Sequence, residues 1–507
     1  MSIELSLSLS KVLQALKHVN GAYLIVACAA AGILAGARLP HLRMPAPAAF
    51  ALLVGLGLAY TFYPNFIDHA EPAMATLGMV LMQGRPLYPA LDVPSFHGLL
   101  YGPLVAESQA AAIYVGALAG LPVMLASKLT GFATLLAACA LFFRIAPGWG
   151  FARTYYVLFL LPFALYTFWN RCEPPLLLLV VLAFWAAGAW PQRRALLMIG
   201  ICAGLASGLK LHAFLYIIPA AVLVLARDRP LWPGVLILAG AAGASFLLLF
   251  LPPNVSLAAF FGYVRLAGEH GLSTEQLLEN LLFLGALWCP LLVLRERARL
   301  LRARPVLALL GLQLLVAVIA SKPGAGIHHL MPFIPANALL FAPHAQASRG
   351  KTSLDLVWLA ALLPGVAATL LLAPRMALNW RDHDAAGREL AQIQARHADL
   401  VMGVSGNKTY AYAFMRPVLE HRGVAQIEYS SYMDLQLVGV PDTPLREAFD
   451  TCRIRYLAMP KGEAPFSLVT FYSETAPLFS DELRSTFARR YQRITEGAWF
   501  DTYRCNG

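Results

Sequence analysis

The stretch YTFYPNFIDHAEP (60–72) closes an apolar run over 46–63 and sets Asp68, His69 and Glu71 at its edge. A polar, aromatic continuation follows, with GRPLYP at 84–89 and HGLLYGPL at 97–104. Carboxylates parked at a membrane surface are costly unless they bind something or do chemistry. Asp68 and Glu71 are therefore the first candidates for a site facing the boundary between water and lipid.

The composition of the chain decides whether that boundary exists. The 507 residues are 59% hydrophobic and 13% charged, with a mean hydropathy of +0.62. Soluble globular chains carry about 25% charged residues, so the deficit is that of an integral membrane protein. The runs are continuously apolar rather than alternating, which predicts helices and not a barrel. The net charge of +11 is no argument for nucleic acid, because the basic residues fall largely in short connections between apolar runs.

Candidate spans lie near 20–37, 46–63, 121–144, 154–170, 174–190, 195–209, 212–226, 233–252, 281–294, 305–320, 328–343 and 354–374. Several are shorter than the ~20 residues of an upright spanning helix, which predicts short or broken helices. The fold class expected is a polytopic α-helical membrane protein of about 11–13 transmembrane helices over 1–375. A small extracytoplasmic α/β soluble domain over 376–507 follows, read as helices at 384–397 and 409–420 and strands at 400–404, 454–459 and near 491–504. Segment 103–119 reads as an interfacial helix and 253–280 as a loop, either a gate over the site or a solvated connection.

Basic loops at 192–194, 227–229 and 295–304, and the Arg349/Lys351 linker, are expected on the cytoplasmic side. The Asp68 loop, the turn NRCEPP (170–175), Lys210–His212, SKPGAGIHH (321–329) and the tail then share the opposite face. The expected location is an inner or plasma membrane, multi-pass, with the site outside. Cys28, Cys139, Cys202 and Cys289 read as small hydrophobes within apolar runs. Cys452 and Cys505 lie in the tail, and their pairing stays open.

Asp68 and Glu71 share a face if their segment is helical, and a carboxylate there suits proton abstraction from a sugar hydroxyl or a divalent metal. The competing reading is a helix start, with Asp68 as cap and Glu71 at its third position. Glu173, beside Arg171 and Trp169, reads either as a binding residue or as part of an interfacial belt. Lys210 and His212 interrupt the apolar stretch ASGLKLHAFL, which is expensive in lipid. Lys322 with His328 and His329 on Gly-rich backbone suits a phosphate, although lysine at a helix end is also a common anchor. No Walker A, dinucleotide or GxSxG pattern is present.

Taken together, Asp68 in the first large outer loop, GRPLYP and YGPL after it, the polar turn Asn170–Pro175, the span ending in Lys210 and the late GxxHH segment resemble the GT-C class of membrane glycosyltransferases. The resemblance covers about 46–374 and is nearest to the mannosyl- and arabinosyl-type branches. It implies an inverting transfer from a polyprenyl-phosphate sugar donor to a glycan or glycolipid acceptor of the cell envelope, with membrane lipid as surroundings and no nucleic acid as partner. Asp68 would be the general base. Lys322, His328, His329, Lys210 and Arg85 would hold the donor phosphate, and Glu71, Glu173, Tyr88, Tyr101, Arg171 and His212 would contact acceptor or sugar. Many members carry an adjacent Asp-Glu pair where this chain has Asp68 and Glu71 two residues further apart, so no cofactor is certain; a metal, if used, would be Mg or Mn on those two acids. A transporter or flippase of a lipid-linked sugar and a non-catalytic scaffold of a glycan-assembly complex are the alternatives from other classes.

Overall fold

The structure, a computed structural model, describes residues 46–63, 66, 70–92, 100–148, 150–161, 170–227, 231–289, 303–347, 383–406, 425–470 and 475–507. Asp68 and His69, the apolar runs at 20–37 and 354–374, the basic loop at 295–302, the Arg349/Lys351 linker, Cys28 and the helix expected at 409–420 lie outside the described residues.

The apolar part is built of α1 (Ala46–Phe62), α2 (Glu71–Met82), α3 (Pro103–Leu118), α4 (Val123–Ile145), α5 (Phe151–Leu160), α6 (Glu173–Ala189), α7 (Gln192–Leu209), α8 (Ile218–Leu225), α9 (Trp232–Leu248), α10 (Leu257–Gly268), α11 (Thr274–Trp288), α12 (Arg304–Ile319) and α13 (Ile334–Ala347). Proline sits in the first turn of α2, α3, α6, α8, α9 and α12. Its missing N–H and fixed φ suit that position, so these prolines start helices where a mid-helix proline would break them. Among the described residues, α4 alone is both long and apolar enough to cross a membrane; α1, α6, α9, α10 and α12 are apolar but shorter.

Two expected elements differ. The segment 253–280 is not a loop: Ser256 caps α10 and Ser273 caps α11, each side chain accepting from a backbone N–H three residues on. The run at 212–226 is split into a 3-10 turn, Leu211–Tyr216, and α8, because Lys210 is extended (φ −140°, ψ 126°) and ends α7. Segment 103–119 is helical as expected, in α3.

Where helices approach closely, small residues allow it. A Cβ on Gly204 of α7 would collide with Ser245 Oγ and the Ala242 carbonyl of α9. Polar side chains tie other helices together: Trp288 donates to Gln313 Oε1 (2.6 Å), Gln313 Nε2 to Asn337 Oδ1 (2.8 Å), and Asn337 Nδ2 to Tyr155 OH (3.3 Å).

The C-terminal part begins with α14 (His383–Arg396) and carries α15 (Tyr429–Leu437), α16 (Thr443–Asp450) and α17 (Asp481–Arg490) around a five-stranded sheet. The strands are β1 (Leu400–Met402), β2 (Ala425–Gln426), β3 (Tyr456–Pro460), β4 (Tyr491–Glu496) and β5 (Phe500–Cys505), in the order β2-β1-β3-β5-β4. β1 pairs in parallel with β2 and β3, while β5 runs antiparallel to β3 and β4. Its core gathers Leu445, Phe449, Phe466, Leu468, Phe479 and Leu483. A separate cluster joins the two parts: Ala386, Leu390 and Ile393 of α14, with Phe500, meet Phe66, Ala75, Ile113 and Met124. Cys452 and Cys505 form a disulfide, with Cα atoms 5.6 Å apart, which closes the pairing that the sequence leaves open.

Candidate functional site

Glu71 and Glu173 occupy the same local position. Each is the first residue of a buried helix, each is followed by proline, and each follows a helical cap residue (Ala70, Cys172) whose side chain makes no capping bond. The carboxylate therefore sits at the positive end of the helix dipole, where a negative charge is stabilised. Glu71 is fully buried and accepts a hydrogen bond from Tyr60 OH. It is the first residue of α2 rather than the third after an Asp68 cap.

Around Glu71 the structure assembles a polar network of which the sequence reading named only the Asn170 turn. Asn170 Nδ2 donates to Ser127 Oγ (2.7 Å) and the Glu71 carbonyl (3.2 Å), Gln109 Nε2 donates to Asn170 Oδ1 (2.7 Å), and Ser127 Oγ donates to Gln109 Oε1 (2.5 Å). Lys128, on α4 and entirely buried, donates to the carbonyls of Tyr63 (2.8 Å) and Tyr60 (3.3 Å). Its ammonium also lies 4.4 Å from the Tyr60 ring centroid. A cation at the C-terminal end of α1 complements the negative end of its dipole and ties α4 to Tyr60 and Tyr63. A lysine within a long apolar span was the signal for this in the sequence.

Glu173 anchors a second cluster. Lys210 Nζ lies 2.7 Å from Glu173 Oε1 and 3.1 Å from His329 Nε2, and His328 Nε2 lies 3.6 Å from the same carboxylate oxygen. On an α-helix adjacent histidines diverge, but the 3-10 turn Ile327–Phe333, entered through Gly326 at φ 146°, brings both to the Glu173–Lys210 pair. The His212 ring stacks on His329 at 5.6 Å between centroids. Among the described residues, Glu173 Oε2 and His212 Nε2 are buried with no hydrogen-bond partner. Orphaned polar atoms of this kind are rare in a folded interior and mark places where a ligand or water completes the site.

These side chains border a cavity of about 500 Å³, lined among others by Tyr101, Arg171, Lys210, His212, Lys322 and His329. Gly102 sets the Tyr101 wall against the end of α7: its N–H donates to Leu209 O at 3.0 Å, and a Cβ there would collide with the Gly208 carbonyl. The far wall comes from α10 and α15, through Gly268, His270, Ser430, Met433 and Asp434. Lys322 Nζ donates to Ala267 O (2.8 Å), and partial burial lowers its pKa. His270 is also lowered, first by burial, against the bond from its Nε2 to the Asp434 carbonyl (3.1 Å) and with the charge of Lys322 adding to the lowering.

Of the residues singled out from the sequence, Tyr101, Arg171, Lys210, His212, Lys322 and His329 line this cavity, and Glu173 and His328 lie directly behind it. Tyr88 stands one layer back, donating to Tyr101 O (2.9 Å) and packed on Phe260 and Tyr263. Glu71 belongs to the network under α2. Arg85 is not on the cavity wall; its carbonyl accepts from Asn254 Nδ2 (3.0 Å). Asp68 lies outside the described residues, as noted. Among the described residues no group of three or more His, Cys, Asp or Glu side chains is placed to hold a metal. Ser430, Met433, Asp434 and the α10 end have no sequence motif; only the fold brings them here.

An apolar groove of about 370 Å³ runs between α7, α8 and α9, floored by Ala203, Gly204, Ala239 and Gly243. Leu211 and Phe214 line both this groove and the polar cavity, so the two are neighbours.

No family model matches the sequence, and no curated protein matches it. Two solved structures share its fold at 13% identity. They are ArnT from Cupriavidus metallidurans bound to undecaprenyl phosphate (TM-score 0.55, over 90% of this chain and 97% of that one) and the same protein in the apo state (TM-score 0.52, 90% and 98%). The resemblance of architecture read from the sequence is thus met in the fold.

Proposed function

We propose that this chain is a multi-pass membrane glycosyltransferase that transfers a sugar, with inversion, from a polyprenyl-phosphate donor to a lipid-linked or cell-envelope glycan on the non-cytoplasmic face. The observation that carries the reading is the adjacency of a cation- and histidine-lined cavity to an apolar groove, the two sharing Leu211 and Phe214. That pairing suits an amphipathic ligand with an anionic head and a long hydrocarbon tail. The solved structure of the same fold with bound undecaprenyl phosphate is consistent with it.

In this reading the phosphate sits near Arg171, Lys322 and the His212 edge, where preformed positive charge stabilises the departing oxygens as the anomeric bond breaks. Lys210 is held by Glu173 at 2.7 Å, so it contributes a charge fixed in direction rather than a mobile cation. Asp68 abstracts the acceptor proton, and the acceptor oxygen attacks the anomeric carbon in one displacement through an oxocarbenium-like state. Should the enzyme use Mg or Mn, Asp68 and Glu71 are the acids nearest to hand in sequence.

The test is transfer from a panel of radiolabelled polyprenyl-phosphate sugars to an envelope-lipid extract, with wild type beside Asp68→Asn and with or without EDTA. Transfer by wild type and not by the variant supports the reading. Movement of labelled lipid across reconstituted vesicles without donor consumption would make the chain a transporter, and neither activity would leave a scaffold.

A further inference from the structure

Gln109 of α3, Ser127 of α4 and Asn170 before α6 close a ring of three hydrogen bonds. Asn170 Nδ2 donates to Ser127 Oγ (2.7 Å), Ser127 Oγ to Gln109 Oε1 (2.5 Å), and Gln109 Nε2 back to Asn170 Oδ1 (2.7 Å). All three residues are buried. Each side chain donates to the next and accepts from the last, and a buried polar network of this kind rigidifies what it joins. Asn170 also reaches beyond the ring. Its Nδ2 donates to the Glu71 carbonyl (3.2 Å), and its backbone N–H donates to Tyr60 OH (3.3 Å), the hydroxyl that itself donates to Glu71.

The helices of the ring pack closely by other means. A Cβ on Gly78 of α2 would collide with Gln109 and the Ala110 backbone of α3, and one on Gly116 of α3 would collide with the Ala126 Cβ of α4. Small residues thus already bring α2, α3 and α4 together. What the ring adds is the seat of the turn that leads into α6. Asn170 fixes that turn to the start of α2, and both segments carry cavity wall: Ala70 precedes Glu71, and Arg171 follows Asn170. Gln109, Ser127 and Asn170 do not line the cavity themselves.

We propose that Asn170 is a positioning residue for Arg171, the ring holding the turn so that the guanidinium faces the donor phosphate before the donor arrives. This rests on the placement of the phosphate near Arg171 in the reading above. Asn170 touches no substrate and takes no proton in the transfer. A charge ordered on folding binds more tightly than one that must be ordered by its ligand.

The experiment measures the Kd of undecaprenyl phosphate for the full chain in detergent, through two double-mutant cycles. Asn170→Ala is expected to weaken binding about fivefold or more, as misplacement of a binding group does. In an Arg171→Ala background the same substitution should change Kd less than about twofold, because the group it positions is gone. In a Lys322→Ala background, on another wall of the cavity, the loss should return at about its full size. A merely structural role would weaken binding by one factor in every background. That result, an unchanged Kd in Asn170→Ala, or an effect that vanishes in both backgrounds alike overturns the assignment and leaves the glycosyltransferase reading standing. If Asn170→Ala fails to fold, Ser127→Ala and Gln109→Ala, each of which opens the ring, decide in the same backgrounds. If Arg171→Ala binds nothing, Arg171→Lys takes its place. Wild-type affinity in Arg171→Ala alone would remove the phosphate from Arg171, and this assignment with it. If wild type binds no undecaprenyl phosphate and consumes no donor, the glycosyltransferase reading itself falls.

Discussion

Lys210 Nζ lies 2.7 Å from Glu173 Oε1, so a cation that the sequence offers to a phosphate is already paired with a buried carboxylate. Removing one partner of such a pair leaves the other charge uncompensated, which costs about 3–5 kcal/mol, whereas removing both is far milder. Lys210→Met should therefore lower the thermal midpoint in detergent strongly. The double variant Lys210→Met with Glu173→Gln should be more stable than Lys210→Met alone. Additive losses in that cycle would show that the two side chains do not support each other.

Lys128 bridges α4 to Tyr60 and Tyr63 at the end of α1 and does not line the cavity. Lys128→Met removes its bonds to the Tyr63 and Tyr60 carbonyls (2.8 and 3.3 Å) and should lower the thermal midpoint, a bond from a charged donor being worth about 1.5–3 kcal/mol. On the proposed role of Asp68, which follows α1 in the chain, transfer should fall mainly in kcat while the affinity for undecaprenyl phosphate holds. Equal loss of both would mark Lys128 as a general stabiliser only.

His270 predicts a pH dependence for the seating of α15. Burial, with Lys322 adding, lowers its pKa from 6.5, so the folded protein binds fewer protons there than the unfolded one. Stability from this group is fully present above the unfolded value of about 6.5. It is lost as pH falls below that value and levels off below the lowered folded value. Protection factors over 429–437, taken relative to the intrinsic exchange rate at each pH, should fall between pH 7 and pH 5.5, and His270→Gln should flatten that fall. A fall of the same size in His270→Gln would remove the histidine from the explanation.

The sequence exposes charge where lipid makes it expensive, and that rule found Lys210, His212 and the Glu173 turn. It did not find how they meet. The break after α7 at Lys210 and the 3-10 turn that turns His328 and His329 toward Glu173 depend on tertiary packing rather than local propensity. Lys128 obeys the same rule within 121–144, where a single lysine in a long apolar run is also a common snorkelling residue. Helices α10 and α11 were hidden by charged residues in a short amphipathic stretch, and α15 to α17 by weak periodicity. Ser430 and Asp434 carry no motif at all, because a cavity wall lent by a separate domain is a property of long-range packing.

Gly102 offers a steric test of the cavity. Its N–H bonds to Leu209 O (3.0 Å), and a side chain there would meet the Gly208 carbonyl. Gly102→Ala must push the Tyr101 wall away from Lys210, and backbone offers no flexible end to yield. Overpacking of this kind costs about 1–3 kcal/mol. Affinity for undecaprenyl phosphate is expected to drop about tenfold, with the C-terminal part unaffected in its own melting. Wild-type affinity in Gly102→Ala would place the ligand elsewhere than against this wall.

The disulfide between Cys452 and Cys505 closes a loop across 53 positions. In the chain-entropy view a loop of that length is worth about 4 kcal/mol, and engineered losses are commonly 2–5 kcal/mol. Cys505 ends β5, whose Phe500 packs against α14 and the apolar helices. Reduction should therefore loosen both the sheet edge and the seat of the C-terminal part. A Cys452→Ser with Cys505→Ser variant should melt lower by several degrees and be insensitive to dithiothreitol, whereas wild type should approach it on reduction. Because the bond needs an oxidising compartment to persist, wild type recovered from intact cells should carry it oxidised, as thiol labelling with and without prior reduction will read. A reduced pair in those cells would contradict an extracytoplasmic C-terminal part.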